Sequence, residues 1–189
     1  MRHSIDIDFL VKLEGGYITH GYVPDINNSN SGVTIGGGCD IGQYSKNQLM
    51  DIFVPEYSYI YNRLFKYAEK KQLEAKNELN KMPLLVDIET AKIITKKFMD
   101  YNFKILINRY NNNSIINFEL LHPAIQTVIS SVAYQYGNLQ HRTPNFWNQA
   151  ISLNIKDMFE NLLDFKDKYS TRRKKEANYL NKYIQIIKD

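Results

Sequence analysis

The spacing of hydrophobic residues changes at the first pair of glycines. Before them, apolar residues recur at helical spacing: Ile5, Phe9, Leu10 and Leu13. This pattern predicts a short first helix, which Ser4 or Asp6 can cap. We expect the helix to end at Gly15-Gly16, because glycine readily adopts the left-handed conformation of a helix end. Glu14 is therefore predicted to lie on the last turn.

Residues 17–43 have the pattern of short strands and tight turns. YITHGYV and VTI are β-prone runs, and PDINNSNSG between them is a cluster of turn-forming residues. Most glycines of the chain also lie here, which favours close chain reversals. We therefore predict a small glycine-rich β-lobe within residues 1–54.

The rest of the chain has a helical pattern. SKNQ, beginning at Ser45, has the form of a capping box. One long linking helix is predicted over residues 55–82, and a helical lobe over residues 83–189. We expect the helices of that lobe to be capped or opened at Asp87, His122-Pro123, Thr143-Pro144, Asn154 and Ser170, the last running through Ile187. The predicted fold class is α+β and mainly helical, in a single domain over residues 1–189.

Composition fits one globular domain. The chain has 189 residues, 43% of them hydrophobic and 23% charged. No apolar run approaches the roughly 20 residues of a membrane span, so no membrane insertion is expected. The first ten residues lack the apolar core of a signal peptide, which predicts synthesis in the cytoplasm without one. A single cysteine excludes an internal disulfide framework.

The charge of the chain is unevenly distributed. Residues 1–60 carry 3 bases and 7 acids, a net −4, so the remainder carries 21 bases and 13 acids, a net +8. A basic surface attracts polyanions such as anionic cell-wall polymers or nucleic acid, although a solvated helical face is the simpler interpretation. The most basic run, TRRKK, has Glu176 beside it on a predicted helix. We therefore expect no nucleic-acid partner.

Three carboxylates stand out in a segment that lacks Lys and Arg. Residues 13–43 contain Glu14, Asp25 and Asp40. A pair of carboxyl groups suits glycoside hydrolysis, in which one protonates the leaving oxygen and the other activates water or attacks the sugar. The C-terminal end of a helix carries partial negative charge, which favours an uncharged carboxyl at Glu14. Glu14 is therefore the candidate general acid.

Either aspartate could be the partner of Glu14. Asp25 follows proline in a turn cluster, where aspartate commonly bonds its own backbone. Asp40 follows three glycines, and a straight strand would place it ~20 Å from Thr34. The glycines of residues 36–38 could let the chain double back, so that Thr34 and Asp40 reach one site and the Thr34 hydroxyl holds a water.

Other kinds of site have weaker support. Cys39 could be a nucleophile, but the four histidines form no local pattern with it and have no metal-ligand spacing. The run of three glycines lacks the Gly-Lys-Ser/Thr of a P-loop. We therefore expect neither a metal nor a cofactor.

The opening segment has a recognisable motif. LEGG…GYVP…NSNSGVTIGGGCDIGQ resembles the catalytic segment of the pesticin-like toxin homologues of phage lysozyme, whose hallmark is SGVTIG followed by D-[LI]-G-Q. Further segments are similar to phage-type lysozymes: DIETAKIITKKF, VAYQYGNL, TPNFWNQAI and YSTRRKKEANYL. The resemblance covers nearly the whole chain and implies a lysozyme-like fold.

The resemblance implies roles for individual residues. By position in the motif, Glu14 corresponds to the general acid, Thr34 to the threonine near the hydrolytic water, and Asp40 to the second carboxylate. Asn28 stands where ordinary phage lysozymes have their aspartate, six residues before the threonine. This favours Asp40 over Asp25 and leaves open whether the second carboxylate is a base or a nucleophile.

The resemblance also implies where the substrate binds. In the helical lobe, Gln135 and its neighbour Tyr134 correspond to substrate-contacting positions, and Gly36 does so in the β-lobe. The implied substrate is the peptidoglycan glycan strand.

The function that the resemblance implies is that of a muramidase, which cleaves the β-1,4 bond between N-acetylmuramic acid and N-acetylglucosamine. Such a chain would be an antibacterial toxin or a phage endolysin. It would act as a monomer in the periplasm after delivery by a separate system, and a cognate immunity protein could accompany it. The alternatives are a lytic transglycosylase and a non-enzymatic module that binds the wall or nucleic acid.

Overall fold

The computed structural model describes residues 3–186, so the predicted end of the last helix at Ile187 lies outside the described residues. Strands β1 (Ile18–Tyr22), β2 (Thr34–Gly36) and β3 (Cys39–Asp40) form an antiparallel sheet in that order. The helices are α1 (Ile7–Leu13), α2 (Lys46–Phe53), α3 (Ser58–Leu64), α4 (Gln72–Lys81), α5 (Ile88–Asn111), α6 (Pro123–Tyr136), α7 (Leu139–Arg142), α8 (Pro144–Ile151), α9 (Ile155–Leu163) and α10 (Ser170–Ile186). Single 3₁₀ turns occur at Ile41–Gln43, Phe65–Tyr67 and Phe118–Leu120.

The chain divides into two compact units. Val11–Tyr101 forms a unit that contains the sheet, whereas residues 3–10 and 102–186 form a helical unit. The division differs from the predicted lobes because the beginning of the chain is tied to α6. The backbone N–H of Ser4 donates to Gln126 Oε1 at 2.8 Å, and that of Asp6 donates to Thr127 Oγ1 at 2.9 Å.

The linking helix predicted over residues 55–82 is not continuous, and that prediction of its bounds is wrong. Between α3 and α4 the chain leaves the helical path, with positive φ at Glu69 and Gln72. The backbone N–H of Glu69 donates instead to Tyr44 O at 3.1 Å, and that of Gln72 to Ser31 O at 2.8 Å. These hydrogen bonds satisfy backbone carbonyl groups in the loops around the sheet. Local helical periodicity does not reveal acceptors that lie so far away in the chain. The long helix is α5, with 24 residues.

The sheet unit has one hydrophobic core around β2 and α5. Ile35 of β2 and Ile94 and Phe98 of α5 are almost completely buried in the same cluster. Each such side chain contributes ~1.5–3 kcal/mol when it leaves water. Next to the cluster, α2 begins with the predicted capping box, in which Ser45 and Gln48 bond each other's backbone N–H. This packing fixes the strands that carry the candidate site.

The helical unit packs around α6, whose centre is buried on all sides. Pro123 occupies the first turn of α6, as the sequence predicted, and Gly137 ends the helix with φ 73°. Trp147 is 2% exposed and belongs to the core. Within the described residues, no helix has the length and apolarity needed to cross a membrane.

Candidate active site

Glu14 directly follows Leu13, the last residue of α1, so it lies at the end of the first helix, one residue beyond the predicted last turn. Its backbone N–H donates to Val11 O at 3.1 Å, and the N–H of Gly16 donates to the same oxygen at 2.9 Å. Gly15 and Gly16 have φ of 89° and 96°, a conformation that residues with a side chain rarely adopt. The glycine pair therefore turns the chain sharply and leaves the Glu14 side chain at the end of the helix.

Strands β2 and β3 form a hairpin in which the chain reverses at Gly37 and Gly38. Thr34 is paired directly with Asp40 in this hairpin. Side chains of directly paired residues lie on the same face of a sheet, with Cβ atoms ~5 Å apart. The chain reversal that the glycines were predicted to allow is therefore confirmed, and it makes Thr34 and Asp40 neighbours.

The Glu14 carboxyl packs against the turn of this hairpin. A Cβ atom built on Gly38 would lie 2.6 Å from Glu14 Oε2 and 3.1 Å from its Cδ. Gly38 also has φ 79°, so both the backbone conformation and the close approach of Glu14 require glycine. The same turn thus holds Glu14 and joins the strands of Thr34 and Asp40.

Asp40 is held by three hydrogen-bond donors. Its Oδ1 accepts from the backbone N–H of Gly32 at 2.9 Å and of Gly42 at 3.0 Å, and its Oδ2 accepts from Gln43 Nε2 at 3.0 Å. Side chains at the two glycines would collide with each other's backbone and with Lys70 O. Both glycines therefore permit the close packing that fixes the Asp40 carboxylate.

Thr34 and Gly36 are both buried in β2. Thr34 is 4% exposed, and its hydroxyl donates to Gly32 O at 3.4 Å. Gly36 lies against α5, where an added Cβ would be 2.5 Å from Thr95 Oγ1. Packing against Thr95 thus accounts for glycine at position 36, and the glycine that faces the Glu14 carboxyl is Gly38.

Tyr22 is a candidate site residue that the sequence analysis missed. It is paired with Thr34 across β1 and β2, so Tyr22, Thr34 and Asp40 form one row across the three strands. Burial raises the pKa of the Tyr22 hydroxyl, and negative charge at Glu14, Cys39 and Asp40 acts in the same direction. The Tyr22 hydroxyl therefore keeps its proton to higher pH than an ordinary tyrosine does, and it can act as a hydrogen-bond donor in this row. Its place at the end of the β-prone run YITHGYV was the available signal.

Asp25 lies in an exposed turn. Its Oδ1 accepts from Asn28 Nδ2 at 2.9 Å, and its backbone oxygen accepts from Asn28 N at 3.1 Å. These contacts have the form of a local turn that aspartate commonly stabilises. The geometry thus brings Asp40, and not Asp25, to the hairpin that Glu14 contacts.

The two predicted substrate-binding residues of α6 belong to the helical unit. Gln135 Oε1 accepts a hydrogen bond from Arg173 of α10. Tyr134 lines a surface pocket with Arg109 and Asn138. The sequence therefore correctly placed both residues near the end of α6, and it did not reveal the contact with Arg173.

Two further observations within the described residues 3–186 concern the other kinds of site that the sequence analysis considered. Cys39 is 2% exposed within β3 and is paired with Ile35. No cluster of three or more His, Cys, Asp or Glu side chains in this range could hold a metal ion.

The fold is mainly helical α+β, with a carboxyl group at the end of the first helix and a glycine-rich hairpin beside it, and it is consistent with a lysozyme-like protein. Residues 4–156 match the family model described as pesticin, the C-terminal part of a bacterial toxin homologue of phage lysozyme. The chain belongs to this family, which confirms the resemblance and the mainly helical α+β fold. Family membership implies a glycosidase-type enzyme that acts on peptidoglycan. No curated protein matches the chain.

Proposed function

We propose that the protein is a muramidase that hydrolyses the β-1,4 bond between N-acetylmuramic acid and N-acetylglucosamine in peptidoglycan. The observation that supports this most strongly is the packing of the Glu14 carboxyl on Gly38, in the turn of the hairpin that pairs Thr34 with Asp40. Two carboxyl groups and a hydroxyl at one hairpin are the groups that glycoside hydrolysis needs.

In the proposed mechanism, Glu14 donates its proton to the glycosidic oxygen as the bond from the anomeric carbon to that oxygen breaks. Asp40 stabilises the positive charge that develops on the sugar. Its three hydrogen-bond donors keep the carboxylate in one orientation, so little reorganisation is needed during the reaction. Asp40 and the Thr34 hydroxyl orient the water that adds to the anomeric carbon, and the proton of that water is taken up by a carboxylate.

The family points to an antibacterial role. As a homologue of a bacterial toxin, the protein would act on the wall in the periplasm after delivery by a separate system. A toxin of this kind would require a cognate immunity protein in the cell that makes it. We expect the protein to act as a monomer on glycan strands.

The proposal is tested by the release of dye-labelled fragments from purified peptidoglycan. We expect Glu14→Gln to reduce the rate at least about 100-fold, because loss of a general acid removes a factor of ~10²–10⁴. Asp40→Asn should also reduce it strongly. Asp25→Asn is the matched control, since Asp25 lies in an exposed turn, and it should retain the wild-type rate.

Other outcomes separate the alternatives. If Asp40→Asn keeps the wild-type rate while Glu14→Gln loses it, a lytic transglycosylase is favoured, because there a hydroxyl of the substrate displaces the leaving group. If the wild-type protein releases no fragments, the glycosidase proposal is wrong and a non-enzymatic wall-binding role is favoured. Thermal unfolding of each variant establishes that it is folded.

A further inference from the structure

The Gln43 side chain reaches back along the chain to the Asp40 carboxylate. Asp40 is the N-cap residue of the 3₁₀ turn Ile41–Gln43, and its side chain accepts from the backbone N–H of Gly42. In a capping box, a glutamine three residues after the cap bonds the backbone N–H of the cap residue. Here Gln43 Nε2 instead donates to Asp40 Oδ2 at 3.0 Å. The glutamine therefore acts on the side chain that the proposed mechanism uses.

The same amide nitrogen also bonds the loop between β1 and β2. Gln43 Nε2 donates to the backbone oxygen of Asn30 at 2.9 Å. An amide nitrogen has two hydrogens, so it can bond Asp40 and Asn30 at once. Two residues further along this loop, the N–H of Gly32 donates to Asp40 Oδ1 at 2.9 Å. The loop is therefore tied to both oxygens of Asp40, directly at Oδ1 and through Gln43 at Oδ2.

Most of the lone pairs of the Asp40 carboxylate are in use. An ionised carboxylate offers about four positions to donors, about two on each oxygen. The N–H groups of Gly32 and Gly42 occupy those of Oδ1. Gln43 occupies one of those of Oδ2, and a water or the sugar can bind at the other. Because the two bonds to Oδ1 still allow rotation about that oxygen, the bond from Gln43 fixes the direction in which Oδ2 points.

The exposure of Gln43 indicates that it affects orientation more than stability. Its side chain lies at the surface, where water can replace a lost hydrogen bond, so the net contribution to the free energy of unfolding is small. The rate of a reaction is far more sensitive to position, since a misplacement of 1 Å can cost ~10²-fold. Loss of the amide should therefore slow the reaction of a protein that remains folded.

We propose that Gln43 is a positioning residue of the reaction, which holds Asp40 Oδ2 in the direction needed to orient the water and stabilise the charge on the sugar. The proposal deepens the proposed function and rests on it. Gln43 acts through Asp40 and not on the substrate. All of the residues that carry the proposal belong to the unit Val11–Tyr101.

The first test is the kinetics of hydrolysis of soluble peptidoglycan fragments. Gln43→Met removes both donors at similar size, and we expect it to lower kcat about 10-fold and to change KM less than about 2-fold. Gln43→Glu keeps the shape of the side chain but presents acceptors to Asp40 and Asn30, so it should lower kcat at least as much. The melting temperature of Gln43→Met should stay within about 3 °C of the wild type.

Gln72→Met is the matched control. Gln72 is also exposed, and its Nε2 donates to Ser29 O of the same loop at 3.0 Å, but none of its bonds in the described part of the chain reaches Asp40. It should keep kcat within about 2-fold of the wild type. Adding Gln43→Met to Asp40→Asn should likewise change the residual rate less than about 2-fold, because the carboxylate through which Gln43 acts is already absent.

Hydrogen exchange followed by NMR gives a second readout, which does not depend on catalysis. The amide hydrogens of Gly32 and Gly42 bond Asp40 Oδ1, so movement of the carboxylate should weaken their protection. We expect Gln43→Met to speed their exchange at least about 3-fold and Gln72→Met to change it less than about 2-fold.

The outcomes separate this proposal from the proposed function. If Asp40→Asn loses hydrolysis while Gln43→Met keeps the wild-type kcat, the role of Gln43 is overturned and the muramidase stands. The role is also overturned if Gln43→Glu is as active as the wild type, if Gln72→Met is as slow as Gln43→Met, or if the exchange of Gly32 and Gly42 is unchanged. If Asp40→Asn keeps the wild-type rate, the proposed function loses Asp40, and the role of Gln43 fails with it.

Discussion

Gly38 is the residue on which the position of the Glu14 carboxyl depends most directly. We predict that Gly38→Ala lowers the rate of peptidoglycan hydrolysis at least about 10-fold, because the new Cβ would lie 2.6 Å from Glu14 Oε2 and displace the carboxyl. The hydrolysis rate and the melting temperature of the folded variant measure the effect.

Gly16→Ala is the control for backbone strain at Gly38. Gly16 also has a positive φ, but a Cβ there meets no atom within 4 Å. Both variants should lose comparable stability, and Gly16→Ala should retain much more activity. Equal loss of activity in the two would show that strain, and not the contact with Glu14, limits the reaction.

Tyr22 gives a prediction about alkaline pH. Burial and the neighbouring negative charges raise the pKa of its hydroxyl above the ordinary value of 10. Because the pKa is raised in the folded state, the contribution of the protonated Tyr22 hydroxyl to stability is complete below pH 10. It is lost as the pH rises through the folded-state pKa. Above pH 10 the free energy of unfolding should therefore fall less steeply for Tyr22→Phe than for the wild type, as followed by urea unfolding.

Tyr59→Phe is the matched control for Tyr22→Phe, since Tyr59 is 52% exposed on α3. It should follow the wild-type pH dependence. If the stability of Tyr22→Phe has the same pH dependence as that of the wild type, the Tyr22 hydroxyl does not lie in buried, negatively charged surroundings.

At the scale of elements, the N-terminus of α5 depends on Asp87. Its Oδ1 accepts from Thr90 N at 2.8 Å and its Oδ2 from the Thr90 hydroxyl at 2.9 Å. The bond from the Thr90 backbone, followed by that from its hydroxyl, lowers the pKa of Asp87 below 3.8. A pKa that is lower in the folded state contributes stability at pH values above the unfolded-state pKa. This contribution is lost as the pH falls through the folded-state pKa.

We therefore predict that the wild type is more stable than Asp87→Asn at pH 7 and that its advantage shrinks as pH falls from about 4 towards 2. Asparagine can still cap the helix but does not titrate. Chemical unfolding at several pH values measures the difference. Asp51→Asn, at an exposed position of α2, is the control. The prediction for Asp87 is contradicted if the difference in unfolding free energy between wild type and Asp87→Asn stays constant as the pH falls.

The caps also show which elements the sequence could predict. Ser45, Asp87 and Asn154 each bond a backbone N–H three residues later, so the signal is local and the starts of α2, α5 and α9 are predictable. The interruption between α3 and α4 depends on Tyr44 O and Ser31 O, which are distant in the chain. Local periodicity contains no information about such acceptors.

At the scale of the whole molecule, the motif located more of the candidate site than physical reasoning from spacing did. From the glycine spacing alone, either Asp25 or Asp40 could be the partner of Glu14, whereas the motif favoured Asp40. The packing of Glu14 on Gly38 joins positions 24 residues apart, and the bond from Arg173 to Gln135 joins positions 38 apart. Contacts of this kind depend on the packed fold, so they require the structure.

Mass spectrometry of the fragments that the wild-type protein releases from purified peptidoglycan decides whether Glu14 is the general acid of a hydrolysis. Hydrolysis with Glu14 as general acid predicts fragments that end in reducing N-acetylmuramic acid, and these should be absent with Glu14→Gln. Anhydro ends would contradict the proposed roles of Asp40 and the Thr34-bound water, and reducing ends produced equally by Glu14→Gln would contradict the role of Glu14.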